Sequence, residues 1–531
     1  MSGEDRQIAK AAGIIGAATF LSRVLGFVRD MVVARAFGAS LMADAFYVAY
    51  RIPSLLRELF AEGSMSAAFV PVFTQTLTIQ SRDEARELAR AAFSLISVVV
   101  SMITVLGIVL APPIVALIAP GFADDPRKAA LTTDLTRIMF PYLLWISLAA
   151  LAMGVLNSLR AFAAPALSPA LFNLSIIATV FILAPRLDEP VLAVAWGVCL
   201  GGLAQLLVQI PGLRRFGMQF GWLWRPSHPG LRRMGLLLLP TLAGLSVSQV
   251  NIFINTLLAS YLAQGSVTYL YYAMRLVQFP LGVFGVALST ALLPTLSSHA
   301  ARGDADALRQ TVAFGLRLIL FITIPAMVGL IALRTPLVHV LFEHGRFLAP
   351  DTVGTANAVL CYTVGLWAFA GVRVVVPIFY ARQETAIPVI AAVLAVGLNI
   401  GLSLAFMGPL QHGGLALATA LASVFNFGVL LTVLHRRIGR FGFRRIARSA
   451  MQAVIACLPT VLVCGVTTSL TIWNEPGAWL AKSALILGSV IVGAASYMAL
   501  QWAWQNEEAR FVFDLLSRRF ARAKSRQGLN K

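Results

Sequence analysis

Long apolar stretches alternate with short polar connectors along the whole of this 531-residue chain. A helix needs about 20 mostly apolar residues to cross the hydrocarbon core of a bilayer, since each residue adds about 1.5 Å. Stretches of that kind occur fourteen times, so the pattern predicts an all-α integral membrane protein of about fourteen transmembrane helices. Their approximate limits are 10–37, 41–72, 91–119, 132–159, 166–184, 190–212, 234–262, 268–298, 312–333, 353–380, 386–407, 413–435, 449–473 and 480–504.

The composition supports the same class of protein. Hydrophobic residues make up 58% of the chain and charged residues 12%, whereas soluble domains average about 45–50% and about 25%. So few charges do not cover so large an apolar surface in water.

The basic residues predict the orientation in the membrane. With the N-terminus in the cytoplasm, most connector arginines fall on the cytoplasmic side, as the positive-inside rule requires. The outer connectors keep little beyond Arg127, Lys128, Arg186 and Arg346. An even number of helices then also leaves the C-terminus inside. The net charge of +19 lies in connectors and in the tail rather than in a basic soluble domain, which favours anionic membrane lipids over nucleic acid as partners.

Several residues recur in the second half of the chain about 222 to 226 positions later, which suggests a duplication. The pairs are Pro71 with Pro294, Arg160 with Arg382, Pro165 with Pro388, Asn173 with Asn399, and Arg214–Arg215 with Arg436–Arg437. Coincidence of connector chemistry is the alternative. Six helices per repeat give both halves one orientation, so a pseudo-two-fold axis along the membrane normal is expected. The predicted parts are an N-lobe (1–215), a C-lobe (216–440), two additional C-terminal helices (441–506) and a basic cytoplasmic tail (507–531).

Charged residues concentrate in the first two predicted spans, where each ionised side chain costs about 2.5–3.5 kcal/mol on insertion scales. They must therefore face a wet cavity, pair with one another, or do both. Arginines exceed acids, and Arg275 and Arg373 in later spans increase the surplus, so a cationic cavity and an anionic cargo are predicted. The alternatives are internal salt bridges and, for Arg373, an interfacial side chain. The residues of the first group are Arg23, Arg29, Asp30, Arg35, Asp44, Arg51, Arg57, Glu58 and Glu62.

Other chemistry finds little support in the sequence. The four cysteines lie in apolar stretches without a CxxC pair, and the six histidines are scattered, so we expect neither a disulfide framework nor a metal site. A phosphate-binding GxxxxGK[ST] loop does not occur. We therefore predict a transporter without a cofactor rather than an enzyme.

Several blocks of residues closely resemble the lipid II flippase family, called MurJ or MviN. They include SRVLGFVRD at 22–30, ADAFYVAYRIPSLLRELFAEG at 43–63, YYAMRLVQFPLGVFGVALSTALLP at 271–294 and FYARQE at 379–384. The resemblance implies a bacterial inner-membrane protein with the fold of the multidrug/oligosaccharidyl-lipid/polysaccharide exporters: two six-helix lobes plus two C-terminal helices. It also implies transfer of undecaprenyl-pyrophosphate-linked disaccharide-pentapeptide (lipid II) from the cytoplasmic to the periplasmic leaflet for peptidoglycan synthesis.

The resemblance also carries over a set of cavity residues. Arg23, Arg29, Arg57 and Arg275 are expected to bind the pyrophosphate, whereas Asp30, Asp44 and Glu62 are expected to pair with arginines or to act in gating. Arg51 and Arg373 are not part of this set and are further candidates only because each is a charged residue in an apolar span.

This chain departs from some family members at three places. Glu58 replaces a second basic residue, and Met274 replaces an acid. The spans at 234–262, 386–407 and 413–435 contain no Asp or Glu, so a carboxylate sodium site does not carry over.

Alternating access is the mechanism that fits this set, and an anion moved outward would gain energy from an inside-negative membrane potential. One rival is a cation-coupled exporter of drugs or metabolites in the same superfamily, which would need carboxylates in the C-lobe. The others are a membrane-embedded transferase, which would need paired carboxylates or a metal, and a scaffold without transport.

Overall fold

The computed structural model describes residues 3–58, 64–475 and 477–514, and all regular structure within these ranges is helical. This confirms the predicted all-α class. Two compact units are present, and the chain passes between them more than once.

The first unit comprises Met1–Thr268 together with Phe342–Asp351. In it, α1 packs along α8, α8 packs along α9, and α2 packs against α6. Its helices are α1 (Gly3–Phe37), α2 (Leu41–Arg57), α3 (Ser64–Ile79), α4 (Arg82–Val109), α5 (Ala111–Ile118), α6 (Pro126–Met139), α7 (Tyr142–Ser158), α8 (Ala163–Ile182), α9 (Leu192–Leu207), α10 (Ile210–Arg215) and α11 (Pro229–Ser260).

The second unit comprises Tyr269–Leu341 and Thr352–Lys531. The C-terminal helices α19 and α20 pack on α14, and the hydroxyl of Tyr497 donates to the Phe321 carbonyl at 2.7 Å. A further helical segment at 507–514 precedes the part of the tail that lies outside the described residues. The helices are α12 (Ser266–Pro280, which begins in the first unit), α13 (Val286–Arg302), α14 (Ala305–Ala332), α15 (Arg334–Phe342), α16 (Ala349–Thr363), α17 (Leu366–Ala381), α18 (Ala386–Ile438), α19 (Phe443–Ala456), α20 (Leu458–Thr468) and α21 (Trp479–Ala503).

Prolines divide several predicted spans into two helices. Pro112 stands in the first turn of α5, Pro141 between α6 and α7, and Pro211 and Pro459 in the first turns of α10 and α20. Proline lacks the N–H that the preceding turn requires and clashes with it, so a helix bends or restarts there. Hydropathy alone does not reveal these breaks, because proline leaves the apolar stretch uninterrupted.

The number of membrane crossings is less sharply defined than the class. Within the described ranges, nine helices are long and apolar enough to cross a bilayer, or ten if the bent pair α16–α17 forms one span. Fourteen therefore stays a prediction. The helix α18 contains 53 residues and would be about 80 Å long if continuous. Gln411, with φ 50° and ψ −133°, breaks it where the two predicted spans 386–407 and 413–435 meet.

Small residues on α9 bring it close to α8. A Cβ on Gly197 would lie 2.8 Å from the Ile176 Cα, and one on Gly201 would lie 2.8 Å from the Phe172 ring. Small residues four apart allow two membrane helices to approach until their backbones nearly touch. This contact fixes α8, which carries Asn173 toward α1.

The segment Phe342–Asp351 belongs to the first unit, although the chain before and after it belongs to the second. The backbone N–H of Arg346 donates to the Arg35 carbonyl at 2.9 Å. Gly38 and Gly345 both have positive φ, and a Cβ on either would lie within 2.4 Å of a backbone oxygen of the opposite segment. The two glycines thus allow this segment, which we call the strap, to lie directly on the corner between α1 and α2.

Gly38→Ala is expected to destabilise the protein more than Gly303→Ala. Both glycines have similar positive φ, but nothing lies within 4 Å of a Cβ on Gly303. Alanine at positive φ costs roughly 1 kcal/mol at either place. At Gly38 the backbone clash should add about 1–3 kcal/mol. The apparent melting temperature of the purified variants in detergent measures the difference, and equal losses would contradict the close contact.

Candidate functional site

The charged cluster on α1 is buried and paired. Arg29 and Asp30 are 7% and 3% exposed. The Arg29 guanidinium donates from Nη2 and Nε to Asp30 Oδ1 at 2.6 and 3.0 Å. A buried charge persists only with a counter-charge and hydrogen bonds. The predicted pairing role of Asp30 thus has a geometric basis.

Asn173 on α8 completes this cluster. Its Oδ1 accepts from Arg29 Nη1 at 3.1 Å, and its Nδ2 donates to the Ser22 carbonyl at 3.1 Å. One amide therefore holds two turns of α1 against α8 and orients the guanidinium. In the sequence Asn173 was visible only as a member of the repeat, because an amide in an apolar stretch carries no charge signal.

The other predicted arginines of the first unit lie nearer to solvent or lipid. Arg23 on α1 is exposed, whereas Arg51 and Arg57 on α2 are half-buried. All three take part in polar or electrostatic interactions. Glu58 at the end of α2 accepts a hydrogen bond from the side chain of Gln249 on α11.

Asp44 is the most fully bonded carboxylate of the described site, at 1% exposure. Its Oδ2 accepts from Lys128 Nζ at 3.0 Å and from the Gly265 N–H at 2.8 Å. Its Oδ1 accepts from the N–H and the hydroxyl of Thr268 at 3.1 and 2.7 Å. A carboxylate at a helix N-terminus satisfies amides that have no partner in the helix. Asp44 therefore joins α2, α6 and the start of α12.

Lys128 is a residue that sequence reasoning did not select for the site. It lies in a predicted outer connector, yet it is 8% exposed, and its ammonium lies 3.9 Å from the Phe122 ring centroid. The partner of Asp44 is thus a lysine rather than one of the predicted arginines. Lys128 ends the polar connector ADDPRK, and a lysine in such a connector gives no sign of burial in the sequence. Asp125, three residues earlier, does not pair with its ammonium but caps α6 by accepting from the Lys128 backbone N–H.

Two predicted arginines belong to the second unit. Arg275 on α12 is half-buried, with its Cζ 5.7 Å from the centroid of the Tyr271 ring one turn earlier. Arg373 on α17 is exposed, and its Cδ lies 3.5 Å from where a Cβ on Gly285 would stand. Glu62, the remaining predicted residue, lies outside the described residues.

The predicted set thus separates into local groups. Arg29 and Asp30 come together with Asn173, and Asp44 comes together with Lys128 and Thr268. In the first group the guanidinium of Arg29 is paired with Asp30 and oriented by Asn173. The second is a closed polar cluster with no remaining capacity for a ligand, as expected of a structural or gating contact.

Asp44→Asn is expected to lower stability strongly, because it leaves the buried Lys128 ammonium without its counter-charge. Removing one partner of a buried pair costs about 3–5 kcal/mol. The matched control is Asp134→Asn, which removes the partner of Arg137 in an exposed pair and should cost less than about 1 kcal/mol. Thermal unfolding in detergent compares the two. Equal, small losses would show that the Asp44 cluster contributes little to stability.

Comparisons with known proteins agree on one family. Residues 33–487 match the family described as lipid II flippase MurJ. A probable lipid II flippase MurJ of Vibrio cholerae serotype O1 is 36% identical over 93% of this chain and 96% of its own length. The lipid II flippase MurJ of Burkholderia cenocepacia is also 36% identical, again over 93% of this chain and 96% of its own.

Solved structures give the same result for the fold. A lipid II flippase MurJ in an inward closed conformation matches with a TM-score of 0.78 and 27% identity, over 94% of this chain and 99% of that one. An inward-facing multidrug resistance MATE transporter of the MOP superfamily matches at 0.65 with 14% identity, over 82% of this chain and 98% of that one; this likeness concerns the fold alone. From its matched residues and its relatives, this multi-pass membrane protein belongs to the lipid II flippase MurJ family.

Proposed function

We propose that this protein is a lipid II flippase, a transporter rather than an enzyme, that moves the lipid-linked peptidoglycan precursor across the bacterial inner membrane. The observation that carries the proposal is the 36% identity to curated lipid II flippases over nearly the full length of both chains. Full-length similarity matters here because a transporter needs both of its halves. The surplus of arginines over acids in the predicted spans supports an anionic cargo independently.

Binding of the diphosphate falls to arginines in this proposal. Arg23, Arg29, Arg57 and Arg275 contact it, with Arg51 and Arg373 in secondary roles. A guanidinium offers a planar fork of donors that matches phosphate oxygens and stays charged at any physiological pH. Because Asp30 now occupies the fork of Arg29, the diphosphate exchanges with Asp30 as the ligand of that guanidinium.

Gating in this proposal depends on carboxylates. Asp44 holds the start of α12 through Gly265 and Thr268, and with both termini in the cytoplasm this contact lies at the outer side. Breaking it frees α12 to move, and Glu62 is a second gating residue in this proposal. The cluster therefore favours a state closed to the outside until the cargo is bound.

The membrane potential supplies the driving force. An anion moved outward gains about 2.3 kcal/mol per charge for each 100 mV of inside-negative potential. Both phosphates of a diphosphate contribute, so the gain exceeds the thermal energy several-fold. A cation-coupled exporter of the same superfamily is the alternative, but no observation on the described residues favours it.

Arg29→Ala and Arg275→Ala are each expected to reduce flipping about 10- to 100-fold, because each removes a charge-assisted hydrogen bond worth about 1.5–3 kcal/mol. The measurement is leaflet-resolved accessibility of lipid II in cells that depend on this protein alone. Arg29→Lys keeps the charge but not the planar fork of donors, so its flipping rate should lie between that of Arg29→Ala and that of the wild type.

The matched control is Arg214→Ala, which removes an exposed arginine of α10 and should leave flipping unchanged. Membrane levels of each variant are compared by immunoblot, so that loss of protein is separated from loss of transport. Normal flipping in both Arg29→Ala and Arg275→Ala would refute the proposed role of the arginines.

A further inference from the structure

An open cavity of about 490 Å³ lies in the first unit, where the corner between α1 and α2 meets the strap. Its apolar wall is formed by Phe37, Leu41 and Met42, and two guanidinium groups, of Arg127 and Arg346, stand at its lining. We propose that this cavity binds the phosphate group of an amphiphilic anion, at a position separate from the arginines of the transport pathway.

The charge of the lining favours an anion. Arg127, in the first turn of α6, is 68% exposed and pairs with Glu189 at 2.9 Å. Arg346 is exposed on the strap, and within the described ranges its guanidinium has no carboxylate partner. One positive charge of the lining is therefore uncompensated. Arg127 can also leave Glu189 and bind a phosphate instead, because an exposed ion pair contributes at most about 1 kcal/mol.

The start of α2 adds to this field. Ser40, Leu41 and Met42 line the cavity, and the Ser40 side chain makes no capping hydrogen bond. The first amides of a helix lack partners within the helix and carry a partial positive charge. The cavity thus combines a helix start with arginines from two other elements.

The strap makes this a shaped site rather than a chance surface depression. Gly345 and the backbone N–H of Arg346 lie directly on Arg35, so the position of the Arg346 backbone is fixed. On the other side, Gln264 lines the cavity and is followed by Gly265, which donates to Asp44. Occupation of the cavity would therefore stabilise the contacts that hold the strap and the start of α12.

Size and polarity indicate the class of ligand. Small-molecule sites span about 300–1,000 Å³, so an inorganic phosphate would leave most of this cavity unfilled. A phosphate attached to an apolar chain would place its oxygens on the arginines and its chain along Phe37, Leu41 and Leu348. Such a group occurs both in an anionic phospholipid and in a lipid-linked diphosphate. In the orientation proposed above, the cavity lies on the outer side of the membrane.

The test is protection of a cysteine placed at the cavity. Leu348 lines it and is 59% exposed, so Leu348→Cys should react readily with a maleimide. The background carries Cys199→Ser and Cys361→Ser, because Cys457 and Cys464 are buried and less reactive. The full-length protein in detergent is labelled with and without inorganic pyrophosphate, short-chain phosphatidylglycerol or short-chain phosphatidylcholine.

At a ligand concentration ten times the dissociation constant, the labelling rate should fall about tenfold. Protection by phosphatidylglycerol alone identifies a lipid headgroup, and protection by pyrophosphate identifies the diphosphate; either supports the site. Protection by none of the three overturns it, and so does equal protection by phosphatidylcholine, which has no net charge.

Arg346→Gln and Arg127→Gln should each abolish most of the protection, whereas Arg346→Lys should retain part of it. Arg186→Gln, an outer arginine that does not line the cavity, should retain all of it. Protection that persists in both glutamine variants overturns the proposal. Since the readout is local labelling, it does not depend on flipping, and a failure here leaves the proposed transport function to its own test.

Discussion

A carboxylate that is buried in a membrane protein must find donors on every side, and Asp44 on α2 meets this constraint with four of them from two other segments of the chain. The consequence is geometric as well as energetic. The positions of α2, of the first turn of α6 and of the start of α12 depend on one another, because a shift in any of them leaves a charge or an amide without a partner. The strap and the cavity beside it lie next to this cluster, so the contacts of this region of the first unit depend on it.

The sequence predicted the helices well and their interruptions poorly. Apolar length is a property of each stretch alone, and where the structure describes them, the predicted spans coincide with helical residues. The breaks at Pro141 and Gln411 depend on where a bend can be accommodated, which neighbouring helices decide. The class was therefore predictable from the chain, whereas the breaks within the predicted spans were not.

The site shows the same division. Arg29, Asp30 and Asp44 were predictable, because a charge in an apolar stretch is costly and conspicuous. Their partners Lys128 and Asn173 were not, since a lysine in a connector is ordinary and an amide is neutral. Only packing shows that Lys128 turns inward to Asp44. Resemblance to a family transfers individual residues, but it does not transfer the pairing that gives each of them its role.

The pairing of Arg29 with Asp30 bears directly on how an anion can move through such a protein. An empty site with an unpaired guanidinium would bear a large desolvation cost, and one with a permanent ion pair would not bind cargo. An ion pair held beside a neutral amide avoids both extremes. Asn173 keeps the Arg29 guanidinium oriented whether its partner is the Asp30 carboxylate or a phosphate. In the transport function proposed above, a diphosphate that replaces Asp30 leaves a carboxylate behind, and this carboxylate restores the pair once the cargo departs. Release of the anion would then be assisted by the same residue that stabilises the empty state, which is what repeated turnover requires.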